Sequence, residues 1–516
     1  MNKMLTLSLG VALILGCAAS AMADVEPHPL FTDHMVLQQG KKIPVWGLAD
    51  DGEKVAVTIN GKTAQTTAKD GCWMVRLGKL KVGGPYEMKI LGRNTITIKN
   101  VMVGEVWVCS GQSNMQMRVR SCNNADQEIK EADYPNIRLF SVPLKASRLP
   151  QKNVDGQWSV CTPETIPDFS AVAYFFGRDL HKTLNVPIGV IHTSWGGSAA
   201  EAWVTRETLE GDPDLKGLVE RSDRNAKEAD KKWLDYAKKF NDWREKNNEL
   251  EAAGQRLIGG PPSLPRGGDA RNNNHRSTGL YNAMIAPLVP YAIQGAIWYQ
   301  GESNAGRAYQ YRKLFPTMIQ DWRQQWGQGD FTFLFVQLAN YGKSTGAGHT
   351  WPELREAQTM TLSLPNTGMA VTVDIGNPKD IHPRNKQDVG YRLALAARKV
   401  TYGEKKLVYS GPMYKSMKAK NGKIALSFNC VGSGLTSKGN EPLKGFEIAA
   451  QDQKFVAADA RIEGGKVVVW NNDISEPVAV RYGWHDSPVC NLFNKEGLPA
   501  STFRTDDWPC VTLNNK

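Results

Sequence analysis

A Gly-x-Ser turn is the strongest chemical signal in this sequence. The apolar run at residues 106–109 leads into Ser110-Gly111-Gln112-Ser113 and then into a short helical pattern. A turn of this kind exposes a serine hydroxyl at the carboxyl end of a strand, where α/β sheets hold their ligands. Met115 stands where a second glycine would complete a G-x-S-x-G nucleophile elbow, so the turn is of a different type. Ser113 is therefore a candidate nucleophile for acyl transfer.

A serine nucleophile needs a general base, and the chain has eight histidines from which to choose. Most of them fall in predicted β domains, in a helix or in loops rich in Asn or Gly, and His192 follows a buried-strand pattern typical of a core histidine. His382 lies in a loop between a predicted strand and a predicted helix, which is a catalytic position in an α/β sheet. Asp380, two residues earlier, is suited to orient the imidazole and stabilise its charged form.

Two further loops offer hydrogen-bond donors for the oxyanion that acyl transfer generates. Gly196 and Gly197 follow a predicted strand, and glycine lets backbone N–H groups approach a ligand closely. Gln300 and Asn304 follow another predicted strand and carry side-chain amides. Removing one preorganised donor typically raises the barrier by about 3–4 kcal/mol.

The elements that must position these loops alternate between strand and helix from residue 104 to about residue 402. Apolar runs at 106–108, 188–192, 296–299, 331–337 and 369–373 predict strands, and the patterns at 175–184 and 391–400 predict helices. Such alternation is typical of an α/β domain with a largely parallel sheet. The carboxyl ends of parallel strands meet at one edge, so all four loops are expected there.

The regions on either side of this domain have a different texture. Short β-branched or aromatic runs separated by Asn-Gly, Asp-Gly and Gly-Gly turns predict β-sandwich-type domains at residues 24–103 and 403–516. An insertion at about 205–255 is charged and helical in pattern, with Trp233, Tyr236, Phe240 and Trp243 at helical spacing. We interpret it as a surface helical hairpin packed by those aromatic side chains.

The amino terminus predicts export. Lys3, the short apolar run Leu5–Leu15 and the small residues at 21–23 are typical of a signal peptide at residues 1–23. Alternatively, residues 14–17 resemble a lipoprotein processing site, which would leave a lipid anchor on Cys17. The protein is then expected in the periplasm or outside the cell, where Cys490 and Cys510 are candidates for a disulfide.

Composition excludes several other function classes. The net charge is +11, but the basic residues are scattered and form no block with interleaved aromatics of the kind that binds nucleic acid. No segment after residue 23 approaches 18 consecutive apolar residues, so no membrane span is expected in the mature protein. The cysteine spacings match no C-x-x-C zinc pattern.

Taken together, the four loops resemble those of the SGNH/GDSL hydrolases, and more closely those of the sialate O-acetylesterase family. The matching blocks are Gly111–Asn114, Gly196-Gly197, Gln300–Asn304 and Asp380–Pro383. Residues 31–38 resemble the family's amino-terminal signature, and residues 484–488 and 503–508 resemble its carboxyl end. The resemblance therefore covers nearly the whole mature chain. It implies a flavodoxin-like α/β catalytic domain flanked by β domains.

The resemblance also implies a reaction: a serine nucleophile removes O-acetyl groups from sialic acids without a metal or other cofactor. It implies Ser113 as nucleophile and His382 as base, with the N–H groups of Ser113 and Gly197 and the Gln300 amide binding the oxyanion. Gly196 is a further donor in the same block, and Asn304 is the alternative to Gln300.

Two departures from the superfamily pattern leave alternatives open. Lys379 stands three residues before His382, where the superfamily has Asp, so the orienting group is Asp380, Asp374 or a backbone carbonyl in a Ser–His dyad. Ser303 aligns with the superfamily's third-block Asn, which is why Gln300 is expected to replace it.

The sugar itself is less constrained by the motifs. Arg118 and Arg307 are candidates to bind a sialic acid carboxylate. Acetylated plant polysaccharide such as xylan is an alternative substrate with the same chemistry. A glycan-binding protein with an inactive hydrolase domain is a third reading, which requires Ser113 or His382 to be misplaced. The oligomeric state and the acetyl position are not assigned.

Overall fold

The computed structural model describes residues 24–265, 273–343, 345 and 348–516. The predicted signal peptide and Cys17 lie outside the described residues. No helix in these ranges is long and apolar enough to span a bilayer. The helices are α1 Ser113–Gln116, α2 Ala125–Lys130, α3 Ala171–Leu184, α4 Arg206–Gly211, α5 Lys216–Ala252, α6 Ala308–Trp326, α7 Trp351–Met360 and α8 Lys386–Val400.

The strands fall into an amino-terminal group, a central group and a carboxyl-terminal group. The first two groups are β1 Glu26–Pro27, β2 Val36–Gln38, β3 Ile43–Leu48, β4 Lys54–Ile59, β5 Lys62–Thr67, β6 Cys72–Leu77, β7 Gly83–Leu91, β8 Thr95–Gly111, β9 Tyr134–Ser141, β10 Trp158–Cys161, β11 Ile188–Ser194, β12 Gly295–Tyr299, β13 Thr332–Val336 and β14 Thr367–Ala370. The third group is β15 Met413–Lys420, β16 Lys423–Asn429, β17 Leu435–Ser437, β18 Phe446–Ala449, β19 Val456–Ala457, β20 Asp459–Glu463, β21 Lys466–Trp470, β22 Ala479–Tyr482, β23 Leu492–Asn494 and β24 Phe503–Arg504.

The central sheet confirms the predicted α/β fold. Its strand order is β10-β9-β11-β8-β12-β13-β14, and all neighbours are parallel except β10 and β9. The five strands β11-β8-β12-β13-β14 have the 2-1-3-4-5 order of flavodoxin-like sheets, and β9 and β10 extend the sheet beyond β11. In such a sheet ligands bind at the carboxyl ends of the strands, where the order reverses beside the first strand.

Helices cover both faces of this sheet because its strands are apolar on both sides. Every residue of β12 and β13 is buried, as expected for parallel strands. On β13, Leu334 faces the α8 side chain Ala396 across Gly368, whereas Phe333 and Phe335 contact Phe315 of α6. Side chains alternate along a strand, so α8 and α6 lie on opposite faces.

The amino-terminal strands are continuous with the central sheet. The 17-residue strand β8 pairs with β7 in its first half and with β11 and β12 in its second half. It therefore runs through residues 103 and 104, the predicted limit between the amino-terminal β domain and the α/β domain. Of the strands before it, β2, β4, β5 and β7 join the same large sheet, and β1, β3 and β6 form a separate one. One contiguous hydrophobic core extends from this region into the α/β region.

The predicted helical hairpin at 205–255 is instead the short helix α4 followed by the single 37-residue helix α5. Residues 216–252 contain no proline, and their one glycine is at the second position, so the two residue types that most strongly interrupt a helix are missing from the middle of the segment. The four aromatic side chains of the insertion contact one another along α5 in edge-to-face and tilted pairs, with neighbouring ring centroids 5.6–5.9 Å apart.

The carboxyl-terminal strands form two four-stranded sheets and one pair around a separate core. The seven cysteines of the described residues are all free thiols, so the expected Cys490–Cys510 disulfide is absent from them. Cys510 instead lies against the guanidinium groups of Arg312 and Arg504, at 3.0 and 3.3 Å. The spacing of two cysteines in a sequence does not determine their distance in space, which is why this prediction failed.

Candidate active site

The hydroxyl of Ser113 and the imidazole of His382 meet at the carboxyl edge of the central sheet. Ser113 is the first residue of α1, two positions after the end of β8, and His382 lies in the loop between β14 and α8. His382 Nε2 is 2.8 Å from Ser113 Oγ, so the predicted proximity of these two side chains is confirmed. Both border an open cleft of about 460 Å³. A hydrogen bond of this length lets the imidazole accept the hydroxyl proton.

Gly111 makes the turn before Ser113 possible. Its φ is +137°, and a Cβ at this position would lie 2.1 Å from the carbonyl oxygen of Tyr299 on β12. The neighbouring Gln112 N–H donates to that same oxygen at 3.0 Å, which holds the turn against β12. Only glycine fits so close to a neighbouring backbone, so the glycine of the sequence motif has a steric cause.

The imidazole of His382 is oriented only weakly by Asp380. The Asp380 Oδ1 atom accepts the backbone N–H of His382 at 2.9 Å but lies 3.8 Å from the ring Nδ1. That second distance is too long for a hydrogen bond. Desolvation lowers the pKa of His382, Asp380 raises it, and the nearby Lys386 lowers it, with a net shift below the ordinary value. The imidazole is therefore neutral, and able to act as a base, at neutral pH.

The alternative orienting group, Asp374, is committed elsewhere. Its two carboxylate oxygens accept hydrogen bonds from Arg392 at 2.6 and 2.8 Å in a buried, bidentate pair. Such a pair fixes the middle of α8 relative to the loop that follows β14. Of the two aspartates considered from the sequence, only Asp380 lies beside His382.

The Gly196-Gly197 turn lies against Ser113. A Cβ on Gly196 would be 3.2 Å from the Ser113 Cβ, so a larger residue would press on the nucleophile. The Gly196 N–H donates to Gln116 Oε1 at 2.7 Å and is therefore already occupied. Among the described residues, the N–H groups of Ser113 and Gly197 have no hydrogen-bond partner. These two groups are free to bind an anion.

The structure does not bring the Gln300 and Asn304 amides to the hydroxyl. Both side chains are buried, and Gln300 Nε2 donates to Asn304 Oδ1 at 2.6 Å and to Ser198 O at 3.3 Å. Asn304 Nδ2 in turn donates to Glu201 at 2.9 Å. Both side chains therefore support the loop after Gly197. Their positions after a strand in the sequence do not show whether an amide plays this supporting role or contacts the oxyanion directly.

The two arginines proposed from the sequence have different positions. Arg118 borders the cleft and pairs with Asp168 at 3.0 Å, with half of its side chain exposed. Arg307 instead pairs with the buried Glu201 and does not border the cleft. Arg384, which was not among the residues predicted from the sequence, borders the cleft and has no ion-pair partner within the described part of the chain.

Three polar residues beneath the site were also missed from the sequence: Asn114, Glu302 and Lys386. They form a buried chain of hydrogen bonds and ionic contacts between Ser113 and His382. Asn114 and Glu302 lie inside the motifs that were noticed, but no pattern marks the lysine at the start of α8 as buried. Within the described ranges, no group of three or more His, Cys, Asp or Glu side chains is arranged to hold a metal ion.

The sequence is similar to a known protein family and to several characterised proteins. The family described as carbohydrate esterase, sialic acid-specific acetylesterase, matches residues 263–399. The mouse sialate O-acetylesterase is 34% identical, over 91% of this chain and 92% of its own length. The human sialate O-acetylesterase is 32% identical, over 97% of this chain and 96% of its own. The chain belongs to the sialate O-acetylesterase family.

A solved structure extends this family assignment to the fold. The crystal structure of a carbohydrate acetylesterase from Xanthomonas citri has a TM-score of 0.80 and 38% sequence identity, and the match covers 94% of this chain and all of that one. This member of the sialate O-acetylesterase family is thus a carbohydrate esterase with an α/β sheet and β-rich flanking regions. Its substrate is an O-acetylated sugar.

Proposed function

We propose that the protein hydrolyses O-acetyl esters of sialic acids, with Ser113 as nucleophile and His382 as general base. The observation that carries this proposal is the 2.8 Å contact between His382 Nε2 and Ser113 Oγ, at the edge of the sheet where α/β proteins bind ligands. The mouse and human relatives, both named sialate O-acetylesterase, support sialic acid as the sugar.

The reaction proceeds in two half-reactions. Ser113 Oγ attacks the acetyl carbonyl carbon while His382 Nε2 takes the hydroxyl proton. The tetrahedral intermediate collapses, the C–O bond to the sugar breaks, and His382 returns the proton to the leaving sugar oxygen. A water molecule then attacks the acetyl-serine carbonyl carbon while His382 takes its proton. The bond between that carbon and Ser113 Oγ breaks, His382 returns the proton to Ser113 Oγ, and acetic acid leaves and ionises to acetate. The open cleft gives both the sugar and this water access to the same side of Ser113.

The free N–H groups of Ser113 and Gly197 are the donors that we assign to the oxyanion. Neither of them has a hydrogen-bond partner within the described part of the chain, and both belong to the turns that flank the hydroxyl. Gln116 holds the second of these turns through the Gly196 N–H. A preorganised donor of this kind contributes about 3–4 kcal/mol to transition-state stabilisation, more than any surface ion pair would.

Acetylated plant polysaccharide is a second candidate substrate. The relative from Xanthomonas citri, 38% identical, is described only as a carbohydrate acetylesterase, without a sialic acid. The cleft is open, which suits a polymer as well as a terminal sugar. The third reading, a glycan-binding protein with an inactive hydrolase domain, has less support because Ser113 and His382 are both present and in contact.

Acetate release from O-acetylated sialic acid, measured beside acetate release from acetylated xylan, tests the function. We expect higher kcat/KM on the sialic acid, and preference for xylan would overturn the assignment of the sugar. Ser113→Ala should lower kcat about 10⁴-fold or more on either substrate, with an unchanged melting temperature. A Ser113→Ala protein with wild-type activity would exclude the serine mechanism, whatever the sugar.

Export is also part of the proposal. It rests on the charged, apolar and small-residue segments of residues 1–23. Amino-terminal sequencing of the mature protein tests it: a first residue of Asp24 supports cleavage by signal peptidase, and a lipid-modified Cys17 supports an anchored form. A protein that keeps residues 1–16 would contradict both alternatives.

A further inference from the structure

Lys386 is a buried cation next to the proposed catalytic pair. It is the first residue of α8, four residues after His382, and its side chain is fully buried. Its Nζ donates to Asn114 Oδ1 at 2.6 Å and lies 5.2 Å from the centroid of the Tyr299 ring. A buried ammonium group is costly unless it is paired, and a methionine would fill the same space without that cost. Packing alone therefore does not account for a lysine here.

Asn114 connects this cation to both catalytic loops. Its Nδ2 donates to Glu302 Oε1 at 2.7 Å and to the backbone carbonyl of Ile381 at 2.9 Å. Asn114 directly follows Ser113, and Ile381 directly precedes His382. One side chain thus fixes the distance between the segments that carry the hydroxyl and the imidazole. Asp380 does not hydrogen-bond the imidazole ring. The hydrogen bond from Asn114 to the Ile381 carbonyl therefore constrains the His382 loop relative to Ser113 more directly than Asp380 does.

The charges at the two ends determine the orientation of the Asn114 amide. The Lys386 ammonium can only donate, so it must face the amide oxygen, and the Glu302 carboxylate accepts from the amide nitrogen. With the amide fixed in this way, its nitrogen also faces the Ile381 carbonyl. An apolar residue in place of Lys386 would leave the amide oxygen without its donor, and only the contacts to Glu302 and Ile381 would then hold this orientation.

We propose that Lys386, Asn114 and Glu302 act together as positioning residues that hold the His382 imidazole against the Ser113 hydroxyl and favour its unprotonated, basic form. This inference rests on the proposed serine mechanism and adds a group that acts on the catalytic histidine without contacting substrate. None of the three side chains borders the cleft.

The charged and titratable groups that face Lys386 are Glu302, Asp380, Cys122, Tyr299 and His382. Burial lowers the pKa of Lys386 to about 7, against the opposing effect of the two carboxylates. Burial raises the pKa of Glu302, and it raises the pKa of Cys122 to about 11, so this thiol is neutral. Lys386 is thus charged at mildly acidic pH, where His382 titrates, and there it lowers the pKa of His382 while Asp380 raises it.

Three variants of the full-length enzyme test the proposal through the pH profile of kcat/KM for 4-nitrophenyl acetate, with acetate as the measured product. Lys386→Met should lower kcat at least about tenfold, leave KM within about twofold, and move the acidic limb to higher pH by about one unit, the scale of one buried charge. Asp380→Asn should move that limb to lower pH. Lys379→Met removes an exposed lysine of the same loop and should leave the limb unchanged.

A folded Lys386→Met enzyme with wild-type kcat and an unmoved acidic limb would overturn the proposal. If Lys386→Met does not fold, the nearly isosteric Asn114→Asp takes its place, because it still accepts from Lys386 but cannot donate to Glu302 or Ile381. We expect at least about a tenfold loss of kcat, and full activity would again overturn the proposal. The Ser113→Ala variant distinguishes failure of the serine mechanism from failure of the positioning role. An active Ser113→Ala protein would refute the serine mechanism itself, whatever the Lys386 and Asn114 variants show.

Discussion

Asp380→Asn measures how much the aspartate beside His382 contributes to catalysis. The carboxylate Oδ1 lies 3.8 Å from the ring Nδ1, and about half of each side chain is exposed. At that distance two unit charges in a water-like medium interact by about 1 kcal/mol, which corresponds to about 0.8 pH unit. Salt screening reduces this further. An orienting aspartate that hydrogen-bonds the imidazole, by contrast, is worth about 10⁴ in kcat.

We therefore expect Asp380→Asn to lower kcat less than about tenfold and to lower the pKa of His382 by less than about one unit. The variant keeps the amide oxygen that accepts the His382 backbone N–H, so the loop should hold its shape. Asp380→Ala is the matched control, because it removes that contact as well and should lose more activity. The assay is acetate release across the acidic limb of kcat/KM. A loss near 10⁴-fold in Asp380→Asn would refute this reasoning and show that Asp380 directly orients the ring during turnover.

Other expected outcomes follow from contacts around the cleft. Gly111→Ala should yield little folded, active enzyme, because its Cβ would lie 2.1 Å from the Tyr299 carbonyl oxygen; a soluble variant with wild-type kcat would contradict this. Gln116→Ala should lower kcat about tenfold with little change in KM, because it removes the acceptor of the Gly196 N–H. Gln116→Glu keeps that acceptor but adds negative charge near the oxyanion, so it should lower kcat further. Burial lowers the pKa of His382, so kcat/KM should fall only below the ordinary histidine range as pH decreases, and an acidic limb above that range would disagree.

The fold class could be predicted because it depends on local patterns. Runs such as Val106–Cys109 are too apolar for a half-exposed strand, and their alternation with helical patterns indicates a parallel sheet whichever contacts form. The helical insertion shows where such patterns stop being informative. Its period predicts helix, but whether one helix or two forms depends on a turn that residues 216–252 do not encode.

The candidate site divides in the same way. Ser113 and His382 could be selected because few residue types can act as nucleophile or base, and both follow strands of one predicted sheet. The amides could not be assigned, because an amide after a strand can point into a cleft or into the protein. Gln300 does the latter and bonds Asn304, while Gln116, in a helical turn, faces the Gly196 loop.

The sequence by itself determined the chemical groups, the parallel sheet and the edge of that sheet where the reaction would occur, since each depends on residue type and on periodicity along the chain. Only the tertiary structure decided which groups meet: that Asp374 pairs with Arg392, that the ring of His382 lies beyond hydrogen-bonding distance of Asp380, and that Lys386 is buried against Asn114. Residues 114 and 386 are 272 positions apart, and no local pattern carries information about a contact between them. Such contacts arise from the packing of whole elements, which is why their partners had to be observed.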